Sequence, residues 1–395
     1  MSTLKVNKIE NTATTDGGIS IDNTGGVQVN GVQLPTAGPL SNRNLIINGA
    51  MRVAQRGTSS TDNGYTTVDR FSSVASGGTV THSQEALTTG AGDADVYNLG
   101  FRYFLRQTND STASGNNNYR IIEYQPEGQD VATSGWNYTS STSNITLSFW
   151  VRSSVSQEFY GYILTEGATA RVYTFSTGTL AANTWTKVTK TIPGDSNVGI
   201  PNDNTSGLQI VLASFWGTNF TNAGATLDTW RDYVPSYWRT PVYTTSWVST
   251  IGATFDLTGV QLEVGSKATP FEHRSYGDEL LKCHRYYYKV ADGSLSVSAP
   301  LNSPTYYNTT QIYGAFHMPV EMRVTPSIDQ TTGTNYYISY SNNASQTGNS
   351  ISLHTGSFSR SVEFVCGLNS AGTAGGSSIF RINNSNAYVA LAAEL

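Results

Sequence analysis

The sequence is poor in charge and in cysteine. Asp, Glu, Lys and Arg make up 13% of the 395 residues, about half the share usual in globular proteins. The net charge of −5 shows no excess of basic residues, which argues against nucleic-acid binding. With only two cysteines, Cys283 and Cys366, the chain has no disulfide framework, and we expect both to be buried thiols.

Long apolar runs and catalytic signatures are also missing. No segment approaches the roughly 20 apolar residues that span a bilayer, and the N-terminus, MSTLKVNKIE, lacks the apolar core of a secretory signal. The five histidines have no zinc-ligand spacing. Neither a phosphate loop nor a G-x-S-x-G nucleophile motif is present. We therefore predict no cofactor, no membrane insertion and no Sec-type export.

Aromatic residues are abundant, at 11% of the chain with 23 tyrosines. Disordered chains combine high charge with few aromatics, which is the opposite of this composition. The length exceeds that of one ordinary domain. Short strands joined by polar turns fit best, so we predict an all-β protein with more than one domain.

Residues 1–40 alternate apolar and polar positions between glycine turns. Leu4 and Val6 open the pattern, and Asn30-Gly31 is a typical two-residue hairpin turn. So few apolar residues cannot bury a core alone. We expect this short β segment to pack on sister chains or on a larger structure.

Residues 41–275 read as a β-sandwich of the jelly-roll type. One strand alternates strictly, with Ile145, Leu147, Phe149 and Val151 on one face. In a later strand, Phe255 and Leu257 have one parity, whereas Val260, Leu262 and Val264 have the other. A β-bulge at Gly259 would keep both sets facing inward.

Residues 276–285 predict a short helix that joins two β domains. Ser275 and Asp278 form a capping-box-like start. An apolar seam follows at spacings of four, three and four, namely Tyr276, Leu280, Cys283 and Tyr287. The seam either packs on its own sandwich or meets two sister seams on a threefold axis.

The sequence of residues 286–395 predicts a second β-sandwich. Strict alternation from Phe316 to Val324 indicates a strand, although Pro319 cannot donate to a ladder. We therefore expect an edge strand or a bulge there.

Several long motifs resemble one family, the tail fibres of tailed bacteriophages with a carbohydrate-binding-module-like jelly roll. The motifs are STLKVNKIENTATTDGGISIDN (2–23), NLIINGAMRVAQRGTSS (44–60), GYTTVDRFS (64–72), YRIIEYQPE (119–127), ITLSFWVRSS (145–154), VQLEVGSKATPFEHRSYGDELLKCHRYYYK (260–289), FHMPVEMRVTPSI (316–328) and AYVALAAEL (387–395).

This resemblance implies a homotrimeric receptor-binding protein of the virion. Its N-terminus would attach to a tail, baseplate or adaptor protein. Its distal domains, with residues 286–395 among them, would recognise polysaccharide or lipopolysaccharide of the host surface. Assembly in the host cytoplasm and release by lysis agree with the missing secretion signal. The alternatives are a structural adaptor or spacer that carries another adhesin, or, less favoured, a capsule-degrading tailspike.

The densest aromatic stretch, residues 214–247, is the candidate saccharide site. Sugars offer apolar faces to aromatic rings and hydroxyls to charged side chains. The alternative is a long loop held down by its aromatics, or a contact to a sister chain. The candidate ligand-binding residues are Trp216, Trp230, Asp232, Tyr233, Tyr237, Trp238, Arg239 and Tyr243.

Other candidate sites are weaker. Asp93 and Asp95 are able to supply oxygens to calcium, but such a run is more often a polar loop, and we predict no metal. Glycoside hydrolysis needs two carboxylates at a defined separation. Nothing marks Asp228 with Asp232, or Glu123 with Glu127, as such a pair, so we expect no enzymatic activity.

Overall fold

The computed structural model describes most of the chain, namely residues 8–10, 18–21, 26–35, 41–90, 92–167, 169–233, 239–354 and 357–395. The chain divides into two compact units, residues 1–275 and 276–395. The expected positions Leu4, Val6, Tyr237 and Trp238 lie outside the described residues. Within them, no helix is long and apolar enough to cross a membrane.

A small antiparallel sheet begins the chain. Its strands follow in chain order, β1 (Lys8–Glu10), β2 (Gly18–Ile21), β3 (Val27–Val29) and β4 (Val32–Gln33). Asn30 and Gly31 join the last two strands with φ of 51° and 76°. Positive φ at both central residues defines the predicted hairpin turn, which is confirmed.

Two six-stranded antiparallel sheets form the main sandwich. Sheet I has the strand order β13-β10-β16-β8-β7-β5, and sheet II has the order β15-β12-β11-β14-β9-β6. The strands are β5 (Ser59–Ser60), β6 (Ser72–Ser76), β7 (Val80–Ala86), β8 (Tyr103–Asn109), β9 (Tyr119–Tyr124), β10 (Asn144–Ser153), β11 (Gln157–Thr165), β12 (Arg171–Leu180), β13 (Thr186–Pro193), β14 (Leu208–Trp216), β15 (Trp230–Asp232) and β16 (Thr254–Val264).

Short helical segments lie in the loops of this unit. They are α1 (Ala94–Asn98), α2 (Gly128–Ala132) and a single 3₁₀ turn (Thr218–Phe220). The all-β expectation is confirmed, because strands account for nearly all of the regular structure described.

The predicted alternation of β10 is confirmed. Ile145, Leu147, Phe149 and Val151 are all fully buried between the sheets. The intervening side chains therefore point to the outer face of sheet I, as the period of two in a strand requires.

The predicted bulge in β16 is also confirmed. The pairing of β10 with β16 shifts register between Ser148 and Trp150, and Gly259 has a φ of +63°. A Cβ at Gly259 would lie 2.7 Å from the Phe101 ring. Only glycine fits here, because the position needs both positive φ and a close approach.

Among residues 276–354 and 357–395, the second unit has one helix and two antiparallel sheets. The helix is α3 (Tyr276–His284), and the sheets have the orders β17-β26-β21 and β18-β25-β22-β23-β24-β20-β19. The strands are β17 (Tyr287–Asp292), β18 (Pro300–Asn302), β19 (Thr305–Asn308), β20 (Gln311–His317), β21 (Ser327–Gln330), β22 (Tyr337–Ser341), β23 (Ala344–Leu353), β24 (Ser361–Leu368), β25 (Ile379–Ile382) and β26 (Tyr388–Ala392).

Phenylalanines form the centre of this unit's core. The ring of Phe364 stacks on Phe316 at 4.4 Å and faces Phe380 at 5.7 Å. Cys283 and Cys366 are both buried thiols, as expected. Burial raises the pKa of Cys366 to about 12, so this thiol has little reactive thiolate at neutral pH.

The predicted strand from Phe316 to Val324 is wrong in its second half. Strand β20 ends at His317, and the following residues have no strand pairing. Met318 and Met322 are nevertheless buried. Pro319 explains the end of the strand, because it has no N–H to donate, while the apolar side chains still pack on the core.

The predicted helix is confirmed, but its seam is only partly helical. Cys283 is fully buried, Leu280 is half-buried and Tyr276 is 49% exposed. Tyr287 belongs to β17, where its hydroxyl donates to the Asp329 carboxylate at 3.1 Å. The fourth seam position therefore packs within its own unit as a strand residue, since pairing with β26 begins there.

Candidate functional site

The outer face of sheet II carries a row of side chains that point away from the core. Phe175 on β12 faces inward, because its ring centroid lies 6.3 Å from that of Phe149 on sheet I. Neighbouring residues along a strand alternate between faces. The outward row across four strands is Thr174, Tyr162, Val211 and Glu123.

Arg239 fastens a loop onto this face. Its guanidinium lies 4.8 Å from the Trp216 ring centroid and 5.4 Å from that of Phe220, and Nη2 donates to the Tyr233 hydroxyl at 3.0 Å. Thr174 Oγ1 donates to the Arg239 carbonyl oxygen at 2.7 Å. Stacking and hydrogen bonding hold the planar guanidinium in one orientation.

Tyr162 lies below Arg239 as a buried neutral phenol. Burial is the main cause that raises its pKa, Arg239 acts in the opposite direction, and Glu123 raises the pKa further. Tyr162 therefore keeps its proton at neutral pH. A neutral hydroxyl is able to donate or to accept a hydrogen bond.

Glu123 provides the acidic part of the same face. Its Oε1 accepts from Gln209 Nε2 at 2.7 Å and from the Gln125 side chain. Glu166, just after β11, has its pKa raised by burial and by the charge of Glu123. The face therefore offers a half-buried carboxylate, two amides, the Tyr233 hydroxyl and a fixed guanidinium, while the Tyr162 hydroxyl is buried beneath them.

Three predicted ligand residues are buried, which corrects our expectation that their rings are open to a saccharide. Trp216, Trp230 and Tyr243 are 2%, 8% and 5% exposed, so their rings cannot serve as an open sugar platform. Trp230 Nε1 donates to the Pro193 carbonyl at 2.6 Å. These residues attach the loop to the sandwich, which is the alternative that we kept for an aromatic-rich stretch.

Tyr243 has a specific structural role. Its hydroxyl receives the Tyr160 N–H at 3.0 Å and lies 2.9 Å and 3.0 Å from the carbonyl oxygens of Tyr160 and Ala213. Both strands shift register at these residues. The phenol thus satisfies backbone groups that two facing bulges leave outside the ladder.

The other predicted residues divide into three groups. Tyr233 and Arg239 are half-buried and lie together on the outer face of sheet II. Asp232 is exposed and forms an ion pair with Arg171 at the edge strand β15. Tyr237 and Trp238 lie outside the described residues.

Sequence reasoning considered Glu123 only as a pair with Glu127, and it did not place Tyr162, Glu123 or Gln209 at the saccharide site. Each lies in a strand more than 20 residues from Tyr233 or Arg239 along the chain, and only strand pairing brings them onto one face. One signal was available. A strand of the core that carries Glu123 between Ile122 and Tyr124 must direct that carboxylate away from the core.

This arrangement is suited to a polyhydroxylated ligand. An aromatic ring offers an apolar contact, while arginine, carboxylate and amide groups supply hydrogen bonds with defined directions. These groups are fixed before a ligand arrives, which limits the entropy lost on binding.

Asp93, the first calcium candidate, belongs to an ion-pair network. One oxygen lies 2.8 Å from Arg152 Nη1 and accepts from Trp185 Nε1 at 3.1 Å. Burial opposes ionisation of Asp93, but bonds from Trp185 and Thr88 and the charge of Arg152 lower its pKa overall. Asp95 is exposed on α1. Within the described ranges, no group of three metal-binding side chains occurs.

The candidate carboxylate pairs have other partners. Asp228 lies 3.6 Å from Lys190 Nζ, and Asp232 pairs with Arg171. Glu127 is fully buried and accepts from Gln129 Nε2 at 2.6 Å. Each of these three carboxylates is therefore engaged in a structural contact.

No protein-family model matches the sequence, and no curated protein matches it either. Solved structures with partial likeness include the CBM22-1 xylan-binding domain from Paenibacillus barcinonensis, at TM-score 0.28 and 11% identity over 60% of this chain and 100% of that chain. Others are a bacteriophage CBA120 tailspike protein 4 domain, at 0.30 and 8% over 56% and 21%, and the baseplate tripod of bacteriophage Tuc2009, at 0.25 and 14% over 69% and 66%.

The matches to the two phage proteins span less than two thirds of those chains. At TM-scores of 0.30 or lower, the likeness identifies neither the fold nor the activity. The assignment of the fold as two β-sandwich units rests instead on the strand pairing and on the buried side chains of this chain itself.

Proposed function

We propose that the protein is a non-catalytic saccharide-binding adhesin of the phage tail-fibre type, and that the outer face of sheet II contacts the glycan. The observation that carries this proposal is the cluster of Tyr233, Arg239 and Glu123 around the buried Tyr162, where a half-buried aromatic ring, a fixed cation and a half-buried carboxylate share one face. The sequence motifs that resemble tail fibres supply the biological setting.

The energetics suit reversible attachment. One half-buried tyrosine and a few directed hydrogen bonds give only modest affinity. Several copies of a weak site on one particle raise the effective affinity by orders of magnitude without any new contact. A receptor-binding protein that must release and rebind a repetitive polysaccharide needs no tighter single site.

The proposal is tested by Tyr233→Ala in the full-length protein. Removing the ring should lower affinity for polysaccharide from an adsorbing host at least tenfold, or about 1.4 kcal/mol. Tyr307→Ala is the matched control, because Tyr307 is 72% exposed in the other unit. If the unmodified protein and both variants bound equally, with unchanged melting temperatures, the proposal that this face contacts the glycan would be wrong.

The same samples test the non-catalytic part of the proposal. Incubation with the polysaccharide should leave its chain length unchanged. Shortened chains would instead assign a hydrolase function and direct attention to Glu123 and Glu166, whose charges interact.

We further propose a homotrimer that attaches to the virion tail by its N-terminal sheet. Apolar side chains of that sheet are exposed, with Ile19 at 44%, Ile21 at 46% and Val32 at 49%. A sheet this thin has no core of its own, so association would cover these residues. Sedimentation of the full-length protein should give three times the chain mass, and a monomer in solution would contradict this part.

A further inference from the structure

A cleft on the outer face of sheet I has no role in the proposed function. It has a volume of about 160 Å³ and lies on the opposite side of the sandwich from the outer face of sheet II. Apolar rings form one part of its wall and polar groups form the other. The lining residues that carry the argument are Phe101, Ser148, Trp150, Lys187, Phe271 and His273.

The walls are fixed by packing and by one hydrogen bond. The Phe271 ring lies 4.9 Å from Phe101 and 4.9 Å from His273. His273 Nε2 bonds to the Leu99 carbonyl oxygen at 2.8 Å. The bulge at Gly259 lets Phe101 and Trp150 approach the strand closely, so the cleft is built into the sheet rather than formed by a mobile loop.

Three polar groups in the cleft retain unused hydrogen-bonding capacity. The Leu99 oxygen can only accept, so Nε2 of His273 carries the proton and Nδ1 remains available. Neither this Nδ1, the Ser148 hydroxyl nor the Lys187 ammonium has a hydrogen-bond partner in the part of the chain that the structure describes. A ligand would complete these bonds.

Two buried carboxylates on the same face already have cationic partners. Asp256 is fully buried and bonds to Arg106 at 2.7 Å and to Arg152 at 2.8 Å. Glu263 is 1% exposed and accepts from Thr269 Oγ1 at 2.6 Å, with Arg43 3.6 Å away. Lys187 therefore leaves the cleft with positive character, which favours an anionic group.

From this combination we infer that the cleft binds a single acidic sugar residue of the hexuronic acid class. The sugar carboxylate pairs with Lys187, and the apolar face of the ring packs against Trp150 and Phe271. A ring hydroxyl donates to His273 Nδ1, and another bonds to Ser148. A charge-assisted bond is the strongest of these contacts, so the carboxylate decides specificity.

Saturation-transfer NMR on the full-length protein tests this site with two probes. Methyl β-D-glucuronide carries the carboxylate, and methyl β-D-glucoside is its neutral counterpart. The glucuronide should bind at least tenfold more tightly, and Lys187→Gln should abolish this preference. Lys190→Gln is the matched control, because Lys190 lies on the same strand and already pairs with Asp228.

The outcomes also separate this site from the proposed function. Tyr233→Ala should leave glucuronide binding unchanged, because Tyr233 lies at the other sheet. Equal affinity for the two probes would overturn the inference, as would full binding by Lys187→Gln. Loss of glucuronide binding in Tyr233→Ala alone would assign the acidic sugar to the outer face of sheet II and leave the cleft without this ligand.

Discussion

Replacing Asp256 with asparagine tests how the outer face of sheet I is held together. The Asp256 side chain is fully buried, and its two oxygens receive Arg106 Nε at 2.7 Å, Arg106 Nη2 at 2.9 Å and Arg152 Nε at 2.8 Å. Asparagine keeps the volume of the side chain. It removes the negative charge and turns an amide N–H toward a guanidinium.

The expected loss follows from burial. Breaking a buried ion pair by removing one partner costs about 3–5 kcal/mol. Two features reduce the loss here, since the Arg106 side chain is 28% exposed and Arg152 keeps Asp93 at 2.8 Å. We therefore expect Asp256→Asn to lower the free energy of unfolding of the first unit by about 3 kcal/mol.

Urea unfolding followed by tryptophan fluorescence measures this loss, because all seven tryptophans lie in residues 1–275. Asp228→Asn provides the matched control. That carboxylate is 52% exposed at 3.6 Å from Lys190, and such surface pairs contribute about 0–1 kcal/mol. A loss below about 1 kcal/mol for Asp256→Asn would refute the reasoning that this triad stabilises the sheet.

Two further predictions concern buried polar groups. Tyr243→Phe should lower the free energy of unfolding of the first unit by about 1–3 kcal/mol, because the Tyr160 N–H and two carbonyl oxygens lose their partner. Tyr340→Phe is the control, since Tyr340 is 43% exposed. Equal stability of the two variants would contradict the structural role assigned to the Tyr243 hydroxyl. Neither ring nitrogen of buried His82 has a partner among the described residues, and burial lowers its pKa to about 4 from the ordinary 6.5. The unfolded chain therefore binds the His82 proton more tightly than the folded chain does. The stability that comes from keeping His82 neutral is fully present above pH 6.5, and about 3 kcal/mol of it is lost as the pH falls toward 4. His82→Asn should flatten the fall in unfolding free energy between pH 7 and pH 4 by that amount, and an unchanged pH dependence would contradict it.

Strand parity could be predicted from the sequence because burial has a period of two. The residues Ile145 to Val151 and the switch of parity at Gly259 were assigned correctly, since each wrong register would expose a whole row of apolar side chains. The short helix from Tyr276 was also correct. The predicted seam was wrong at its last position, Tyr287. That residue begins strand β17, whose partner strand β26 lies about 100 residues later in the chain.

The candidate site could be predicted only in part. Tyr233 and Arg239 lie together on the outer face of sheet II, but Trp216, Trp230 and Tyr243 are buried. An aromatic side chain has the same identity whether it binds a sugar or holds a loop against a sheet. Whether the ring is buried or open to a ligand depends on partners such as the Pro193 carbonyl, which accepts from Trp230. These partners are distant along the chain, so the local sequence does not reveal them.

The most direct measurement is the structure of the full-length protein in complex with an oligosaccharide prepared from the surface of an adsorbing host. Our account predicts that the sugar lies on the outer face of sheet II, with a ring against Tyr233 and hydroxyls bonded to Arg239 and Glu123. A sugar bound solely to the second unit, residues 276–395, would contradict it.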